Sequence, residues 1–399
     1  MADHIPPDGT RRDRGRQGRQ SGKVADFRYK RPSRPDQPKR SAPRGGKSRG
    51  NGSNPFDGAP HSPARTQAYA ALDLGTNNCR LLIARPSGED FTVIDAFSRV
   101  VRLGEGLANS GRLSDDAMAR TLDALKVCAD KLRRRNVRLA RSVATEACRR
   151  AANGPAFIEQ VKRETGIMLD IISAEEEARL AVLGCHVLLE ADGGPAIIFD
   201  IGGGSTELVL IEPGGPVPRI LDWQSVPFGV VSLSDTVRRA DWGGDRLARY
   251  TEMKRVVADS FAAFARRIGG ARNGAAEIGL LGTSGTVTTL ASLHLELPHY
   301  DRRAVDGLIV PATSMRDIST RLSTMSRDER GTLPCIGPDR AELVVAGCAI
   351  LEAILDIWPA ERLGVADRGI REGILRSLIA ADTKAEESRR TVRAGAESR

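Results

Sequence analysis

Residues 197–211 read Ile197-Ile198-Phe199-Asp200-Ile201-Gly202-Gly203-Gly204-Ser205-Thr206-Glu207-Leu208-Val209-Leu210-Ile211. Two short apolar runs flank a polar, glycine-rich turn, and this pattern predicts a strand, a loop and a second strand. Three consecutive glycines permit backbone torsions that a Cβ forbids, so successive N–H groups can converge on one anion. The hydroxyl groups of Ser205 and Thr206 are expected to add donors to this phosphate loop.

Two carboxylates flank the same loop, with Asp200 at its start and Glu207 at its end. Carboxylates beside an anion site repel the anion unless a divalent cation or a proton-transfer role lies between them. The stretch therefore predicts metal-assisted chemistry on phosphate. The alternative is an ordinary hairpin turn that binds no ligand.

A second stretch repeats the pattern. Asp73-Leu74-Gly75-Thr76-Asn77-Asn78 again places an Asp and a small polar turn between apolar runs, 127 residues before the first stretch. Two copies at this spacing predict a duplicated α/β fold whose halves face each other across a cleft. The pair resembles the superfamily of actin, hexokinase and the heat-shock ATPases, in which two such loops hold ligand phosphates from opposite walls. The alternative is coincidence between two ordinary hairpins.

Three further segments carry candidate residues near predicted helix starts. Residues 142–153 run from a strand into a helix, which places Thr145 at the helix start and Arg149 one turn later, an arrangement suited to an anion. Glu177 lies in the acidic first turn of the helix that follows Ser173, where acids also simply complement the helix dipole. Gly285 belongs to a small-residue loop before another helix and is expected to hold a further phosphate. The alternatives are that Arg149 belongs to a solvated helix face and that the Gly285 loop is a plain strand-to-helix turn.

Charge is distributed unevenly along the chain. Residues 1–67 contain 16 Lys and Arg against 6 Asp and Glu, a net charge of +10, so the remainder has a net charge of −1. Because residues 1–66 are rich in Arg, Gly, Pro and Ser and poor in large apolar side chains, we predict that they form a disordered basic arm. Nucleic acid is expected to bind, if at all, only through this arm.

The six cysteines contain no C-x-x-C pair, which predicts reduced, packed thiols and a cytoplasmic protein. The N-terminus has no apolar signal region, and no uninterrupted apolar run is long enough to span a bilayer. No membrane association is therefore expected.

The motifs taken together resemble the exopolyphosphatase and guanosine pentaphosphate phosphohydrolase (Ppx/GppA) family, over roughly residues 69–378. The segments that carry the resemblance are DLGTN at 73–77, ATEACR at 144–149, SAEEEAR at 173–179, DIGGGSTE at 200–207, GTSGT at 282–286 and DRGIREG at 367–373. The resemblance implies two duplicated actin- and hexokinase-like (ribonuclease H-like) α/β domains. It also implies a phosphoanhydride hydrolase, and homodimers are common in that family.

The resemblance assigns roles to the candidate residues. Glu177 is implied as the general base that activates water, and Glu207, with Asp73 and Asp200, as the residues that hold Mg²⁺ (or Mn²⁺) or orient the water. The phosphate-binding residues implied are Gly75, Thr76, Asn77, Asn78, Thr145, Arg149, Gly202, Gly203, Gly204, Ser205, Thr206 and Gly285. Two positions depart from the family pattern, because Asn78 stands where Ser is usual and Ala174 where Gly is usual.

The expected reaction is release of the terminal phosphate from inorganic polyphosphate. The first alternative is hydrolysis of guanosine pentaphosphate (pppGpp), and the second is an actin-like or sugar-kinase-type ATP-binding protein. The predicted organisation is an arm at 1–66, a first domain at 67–178, a second domain at 179–366, a helix at 367–381 that returns to the first domain, and a frayed tail at 382–399.

Overall fold

The computed structural model describes residues 67–88, 90–189, 194–214, 217–238, 244–269 and 278–397. The predicted basic arm at residues 1–66 lies outside the described residues. One sheet consists of β1 (Ala68–Leu74), β2 (Asn78–Ser87), β3 (Asp90–Val100), β4 (Val137–Ala144) and β5 (Leu169–Ile171). The other consists of β6 (Ala196–Ile201), β7 (Thr206–Glu212), β8 (Arg219–Val226), β9 (Gly279–Thr283), β10 (Ile309–Pro311) and β11 (Arg362–Ala366).

The two sheets have the same topology. The first has the order β3-β2-β1-β4-β5, and the second the order β10-β11-β9-β6-β7-β8. In each, the first strand of the hairpin is antiparallel to the second and parallel to a strand that arrives later in the chain. Strand β10 is an antiparallel addition at one edge. The duplication predicted from the two motifs is therefore confirmed.

Helices cover the two sheets. Those of the first half are α1 (Leu107–Ser110), α2 (Asp115–Arg134), α3 (Glu146–Arg150), α4 (Gly154–Thr165) and α5 (Ala174–Cys185), and a 3₁₀ turn at His186–Leu188 follows. Those of the second half are α6 (Val230–Arg238), α7 (Arg246–Gly269), α8 (Gly285–His294), α9 (Arg302–Val305), α10 (Ala312–Thr324), α11 (Arg327–Thr332), α12 (Gly337–Arg340), α13 (Leu343–Ile357) and α14 (Ile370–Glu397).

Helix α2 follows from local sequence signals. The Ser114 hydroxyl accepts a hydrogen bond from the Ala117 amide at 3.3 Å and so caps the helix start. Leu122, Leu125 and Cys128 recur every three residues and are buried in the core against the first sheet. All six cysteines have free thiols, and five of them are buried, as predicted.

Helices α5 and α14 cross at backbone contact distance. A Cβ on Gly373 of α14 would lie 2.0 Å from the Leu180 carbonyl oxygen of α5, and one on Gly184 would lie 2.0 Å from the Gly369 carbonyl oxygen. Glycine is therefore required at both positions for this approach. Helix α14 also packs its Ile374 against the first sheet, so the chain returns to the first half after building the second.

Helix α14 returns to the first sheet through contacts of Asp382. Helix α14 continues to Glu397, and the Tyr69 hydroxyl donates a 2.6 Å hydrogen bond to Asp382 in its middle. Arg138 forms an ion pair with the same carboxylate at 3.2 Å. Asp382 is thus tied to the first sheet, and the boundary of a frayed tail at residue 382 stays a prediction. Within the described ranges, no helix has the length and apolar character needed to cross a bilayer.

Candidate active site

The two hairpin loops form the same turn. The Gly75 amide donates to the Asn78 carbonyl at 2.9 Å, and the Gly202 amide donates to the Ser205 carbonyl at 3.0 Å. Each turn begins two residues after an Asp, at the end of β1 or β6. The two stretches that repeat in sequence therefore also form the same turn hydrogen bond, one in each half.

The two loops also touch one another. A Cβ added to Gly203 would lie 3.0 Å from Thr76 Cβ and 3.1 Å from the Asn77 amide nitrogen, and one on Gly204 would lie 2.6 Å from Thr76 Oγ1. These distances leave no room for a side chain. The consecutive glycines thus serve close contact between the halves as well as backbone freedom.

Asp73 and Asp200 end the equivalent strands β1 and β6 and lie near each other. Burial raises the pKa of Asp200 to about 6, the positive charge of Arg80 opposes this rise, and Asp73 adds to it. Burial likewise raises the pKa of Asp73, against the opposing charges of Arg80 and Arg371. The two carboxyls therefore bind protons more readily than exposed ones do.

Glu207 lies directly opposite Asp200 in the β6–β7 hairpin. Its Oε1 accepts hydrogen bonds from the hydroxyls of Ser205 at 2.7 Å and Ser225 at 2.8 Å. Burial raises the pKa of Glu207 to about 7, with a further contribution from Asp200. The Ser205 hydroxyl, expected to face a phosphate, is thus engaged with a carboxylate.

Glu177 reaches the site from the first turn of α5. The Ser173 hydroxyl caps this helix by accepting from the Glu176 amide at 3.1 Å, which fixes where the turn begins. Burial raises the pKa of Glu177 well above its usual range, and the carboxylate of Glu207 raises it further. A buried carboxyl of this kind beside a cleft is typical of acid–base chemistry.

Arg149, in helix α3, bridges two carboxylates. One terminal nitrogen donates to Glu177 Oε2 at 3.1 Å and to the Ile172 carbonyl at 2.8 Å, and the other donates to Glu146 Oε2 at 2.5 Å. Burial alone would lower the pKa of Arg149, but the charges of Glu177 and Glu146 raise it. Glu146 was not singled out from the sequence, where it reads as an ordinary acid in a helix first turn.

A small inner chamber of about 130 Å³ lies between the loops. Most of the predicted site residues line it: Asp73, Gly75, Thr76, Asn77, Asn78, Thr145, Glu177, Asp200, Gly202, Gly203, Gly204, Ser205, Glu207 and Gly285. Its volume suits a single phosphate group better than a nucleoside.

Two predicted phosphate ligands lie elsewhere. The Thr206 hydroxyl donates to the Phe228 carbonyl at 2.7 Å, because alternation along β7 points Thr206 to the face opposite Glu207. This hydroxyl is therefore engaged with a backbone carbonyl, and Thr206 is not among the residues that line the chamber. Arg149 stands behind Glu177 with its nitrogens engaged by carboxylates, so the structure places it as a partner of the acids and not at the chamber wall.

A larger cleft of about 1770 Å³ adjoins the chamber and shares Asp73, Arg80, Asp200 and Gly285 with it. Arg80, Arg340 and Arg371 line this cleft. Among the described residues, the guanidinium groups of Arg80 and Arg371 form no hydrogen bond or ion pair, and that of Arg340 donates only to Thr289 Oγ1 at 3.2 Å.

These arginines were missed from the sequence. Burial and the charge of neighbouring Arg80 lower the pKa of Arg340, which shows that like charges converge there. Such a group attracts an anion. Arg371 lies inside the quoted DRGIREG segment, whereas Arg80 lies on β2, two residues beyond the quoted stretch that ends at Asn78.

The donor set at the chamber fits a hard cation. Asp73 Oδ1 and Asn77 Oδ1 are buried and have no hydrogen-bond partner among the described residues. An unpartnered buried oxygen is unfavourable unless a donor or cation reaches it. Across the described ranges, no three His, Cys, Asp or Glu side chains form a complete ligand set. A cation here would therefore take its remaining ligands from water or phosphate, as Mg²⁺ commonly does.

Comparison with known proteins agrees with this geometry. The family model described as "Ppx/GppA phosphatase family" matches residues 82–381. Exopolyphosphatase 2 of Mycobacterium tuberculosis is 30% identical over 324 residues, which cover 77% of this chain and 98% of that protein. A Ppx/GppA family member from Aquifex aeolicus is 28% identical, covers 79% of this chain and 98% of its own, and has a TM-score of 0.64.

An exopolyphosphatase crystal structure from Cytophaga hutchinsonii shares the fold, with a TM-score of 0.71 at 24% identity over 79% of this chain and 98% of its own. This chain belongs to the Ppx/GppA phosphatase family. The predicted fold class and the predicted enzyme class, a phosphoanhydride hydrolase, are both confirmed.

Proposed function

We propose that this member of the Ppx/GppA phosphatase family hydrolyses the terminal phosphoanhydride of inorganic polyphosphate and releases phosphate. The observation that carries the proposal is the buried Glu177 carboxyl in the same 130 Å³ chamber as both glycine-rich loops. A relative that covers 77% of the chain is named an exopolyphosphatase, which supports this substrate over others.

The chamber and the cleft bind different parts of the substrate. The terminal phosphate occupies the chamber, which residues of the Gly75 and Gly202 turns line. The following phosphates lie in the 1770 Å³ cleft, beside Arg80, Arg340 and Arg371. The chain outside residues 1–67 has a net charge of only −1, so this local convergence of guanidinium groups supplies attraction that net charge does not.

Glu177 acts as the general base. Hydrolysis requires a water in line with the leaving oxygen, and the protein contributes mainly position and charge. The raised pKa of Glu177 makes its ionised form a stronger base toward that water. Arg149 holds the Glu177 carboxylate in place through the 3.1 Å hydrogen bond and stabilises its ionised form.

Asp73, Asp200 and Glu207 are proposed to hold Mg²⁺ (or Mn²⁺), with water or phosphate oxygens between the ion and those carboxylates that do not reach it directly. Such an ion would offset negative charge on the phosphate oxygens. Their carboxylate oxygens are ligands that these ions prefer, and the unpartnered oxygen of Asp73 supports this position. Glu207 is held for this role by the hydroxyls of Ser205 and Ser225.

The test is phosphate release by the purified full chain from polyphosphate, pppGpp and ATP, each with Mg²⁺. We expect the highest kcat/KM with polyphosphate. A higher kcat/KM with pppGpp would assign the alternative substrate, which presents the same terminal anhydride. A tight ATP complex without phosphate release would instead support the ATP-binding alternative.

Three further properties are proposed on less direct grounds. Because the thiols are free, we propose a cytoplasmic location. A homodimer is proposed from the family membership, and light scattering coupled to gel filtration measures its mass. Binding of nucleic acid, if any, is assigned to residues 1–66, and comparing the full chain with a chain lacking them separates this binding from hydrolysis.

A further inference from the structure

Glu146 is a buried acid of the inner chamber that has no role in the proposed chemistry. It lines the 130 Å³ chamber together with Glu177, and only 8% of its surface is exposed. Helix α3 begins at Glu146 directly after β4, and the Thr145 amide donates to the Leu74 carbonyl of β1 at 3.1 Å. The first sheet therefore fixes the point at which Glu146 enters the chamber wall.

Both carboxylate oxygens of Glu146 face guanidinium groups. Oε2 accepts a hydrogen bond from Arg149 Nη2 at 2.5 Å, and Oε1 lies 3.7 Å from Arg150 Nε. The Arg150 side chain is 41% exposed, so water screens its attraction to Glu146. Arg149 is therefore the main partner of Glu146.

The second half of the chain holds the same side chain from the opposite direction. A Cβ on Gly204 would lie 2.9 Å from Glu146 Cγ and 3.4 Å from Glu146 Cβ. The stem of Glu146 thus packs directly on the backbone of the second glycine-rich loop. The Gly204 carbonyl accepts a 2.8 Å hydrogen bond from the Ser232 hydroxyl, which fixes this part of the loop. Packing therefore confines the stem whose carboxylate binds Arg149.

Arg149 shares its charge between two acids. Its Nη2 donates to Glu146, whereas its Nη1 donates to Glu177 at 3.1 Å. Burial raises the pKa of Glu177, and the charges of Glu207 on β7 and Asp73 on β1 raise it further, whereas Arg149 lowers it. A second carboxylate on the same guanidinium offsets part of the positive charge that acts on Glu177.

Two other elements pack against α5, which carries Glu177. Helix α14 contributes Arg371, which lines the cleft, and Glu372, which pairs with Arg302 at 2.8 Å. Strand β8 contributes Asp222, which pairs with Arg267 at 2.9 Å. Arg149 is the cation that donates directly to the Glu177 carboxylate, so its sharing with Glu146 affects that carboxylate most closely.

We propose that Glu146 is a positioning residue for the proposed base: it holds Arg149 against Glu177 and offsets part of the charge that Arg149 places there. The inference rests on the proposed role of Glu177 and does not depend on which anhydride is hydrolysed. A carboxylate that ionises too readily accepts a proton from water poorly. Sharing Arg149 with Glu146 therefore keeps Glu177 a stronger base than Arg149 alone would allow.

The experiment compares the kcat–pH profiles of Glu146→Gln and the original chain with Mg²⁺ present. Glutamine keeps the shape of the side chain and an acceptor for Arg149 but removes the charge, so the pKa of Glu177 should fall. We expect the acidic limb to move to lower pH by about 0.5–1 unit and kcat at the plateau to fall about twofold to fivefold. KM should change by less than about twofold, because Glu146 does not bind the substrate.

The sign of the shift distinguishes this role from a merely structural one. Arg149→Met removes the charge that Glu146 offsets, so its acidic limb should move to higher pH, opposite to that of Glu146→Gln. Glu146→Asp keeps the charge, so its limb should lie closer to that of the original chain than the limb of Glu146→Gln does. Tm of each variant confirms that it is folded.

Glu164→Gln is the matched control. Glu164 is an exposed acid of α4 that pairs with Lys126 at 3.5 Å, outside the chamber. Its replacement removes one negative charge from the first half and should leave the limb and kcat unchanged. An unmoved limb in Glu146→Gln, a limb that moves to higher pH, or an equal shift in Glu164→Gln would each overturn the inference.

The test also separates the inference from the proposed function. The profile is measured with whichever of polyphosphate and pppGpp the original chain hydrolyses, so a wrong substrate leaves it intact. If neither is hydrolysed, the proposed function fails, and the ¹³C carboxyl resonance of Glu177, identified by its absence from Glu177→Gln, is titrated instead. An equal titration midpoint in Glu146→Gln and the original chain would then overturn the inference on its own.

Discussion

Arg149 Nη1 donates a 3.1 Å hydrogen bond to Glu177 Oε2, although the two residues lie 28 positions apart. The contact joins α3 to the first turn of α5 beside the inner chamber. Glu146 shares the same guanidinium, so one cation serves two buried carboxylates. The proposed base is therefore held within a charge network, and its properties depend on Arg149, which does not itself line the chamber wall.

Glu177→Gln is expected to lower kcat by about 10²–10⁴, because an amide keeps the shape of the side chain and cannot accept the proton. Tripolyphosphate should still bind, which calorimetry measures. Glu176→Gln is the matched control, since Glu176 occupies the same turn but pairs with Arg141 and Arg179 outside the chamber. Equal kcat in Glu177→Gln and the original chain would rule out Glu177 as the base.

Arg149→Met should move the acidic limb of the kcat–pH profile to higher pH by about one unit or more. The positive charge of Arg149 lowers the pKa of Glu177 against the effect of burial, so its removal leaves the carboxyl protonated to a higher pH. The acidic limb of Arg149→Lys should lie between that of the original chain and that of Arg149→Met. If Arg149 instead binds phosphate directly, KM rises and the limb stays in place.

Activity is expected to disappear in excess EDTA and to return with Mg²⁺ or Mn²⁺. Asp73→Asn and Asp200→Ala should weaken Mn²⁺ binding, which electron paramagnetic resonance of the free ion measures without any turnover. Asp222→Asn is a control, because Asp222 pairs with Arg267 outside the chamber. Undiminished hydrolysis in EDTA would contradict the proposed metal requirement.

Glu207→Gln should change how stability depends on pH. Burial raises the pKa of Glu207 to about 7 in the folded chain, whereas a Glu carboxyl in the unfolded chain has a pKa of about 4.3. Between these values the folded chain holds more protons, so the contribution of Glu207 to the free energy of unfolding falls as pH rises. Without metal, the Tm of Glu207→Gln relative to the original chain should therefore rise from pH 5 to pH 8. A Tm difference that stays the same from pH 5 to pH 8 would contradict a raised pKa for the buried Glu207 carboxyl.

Removal of residues 1–66 should leave kcat unchanged and raise KM for long polyphosphate at low salt. Residues 1–66 have a net charge of +10, which attracts a polyanion, and salt screens this attraction. The difference should shrink as salt rises and be smaller for pppGpp. Equal KM values at low salt would leave these residues without a role in substrate capture.

Much of the site was predictable from local sequence. The Asp73 and Asp200 stretches each combine an apolar strand, an acid and a glycine turn, and this local pattern was sufficient to predict the duplicated sheets. Ser114 and Ser173 marked the starts of α2 and α5, because a cap satisfies amides only a few residues away. Such signals depend on neighbours in the chain, so they can be read before the fold is known.

Tertiary structure alone decided three other features. These are the pairing of Arg149 with Glu177, the convergence of Arg80, Arg340 and Arg371, and the unusual backbone conformation of Ser284, with φ 121° and ψ 171°. These residues come from separate elements, and nothing in their local sequence records which ones meet when the halves close on each other. Even the orientation of Thr206 depended on the register of β7 in its sheet. Sequence determined which chemical groups are present at the loops, whereas packing of the two sheets determined which of them line the chamber and which contact one another.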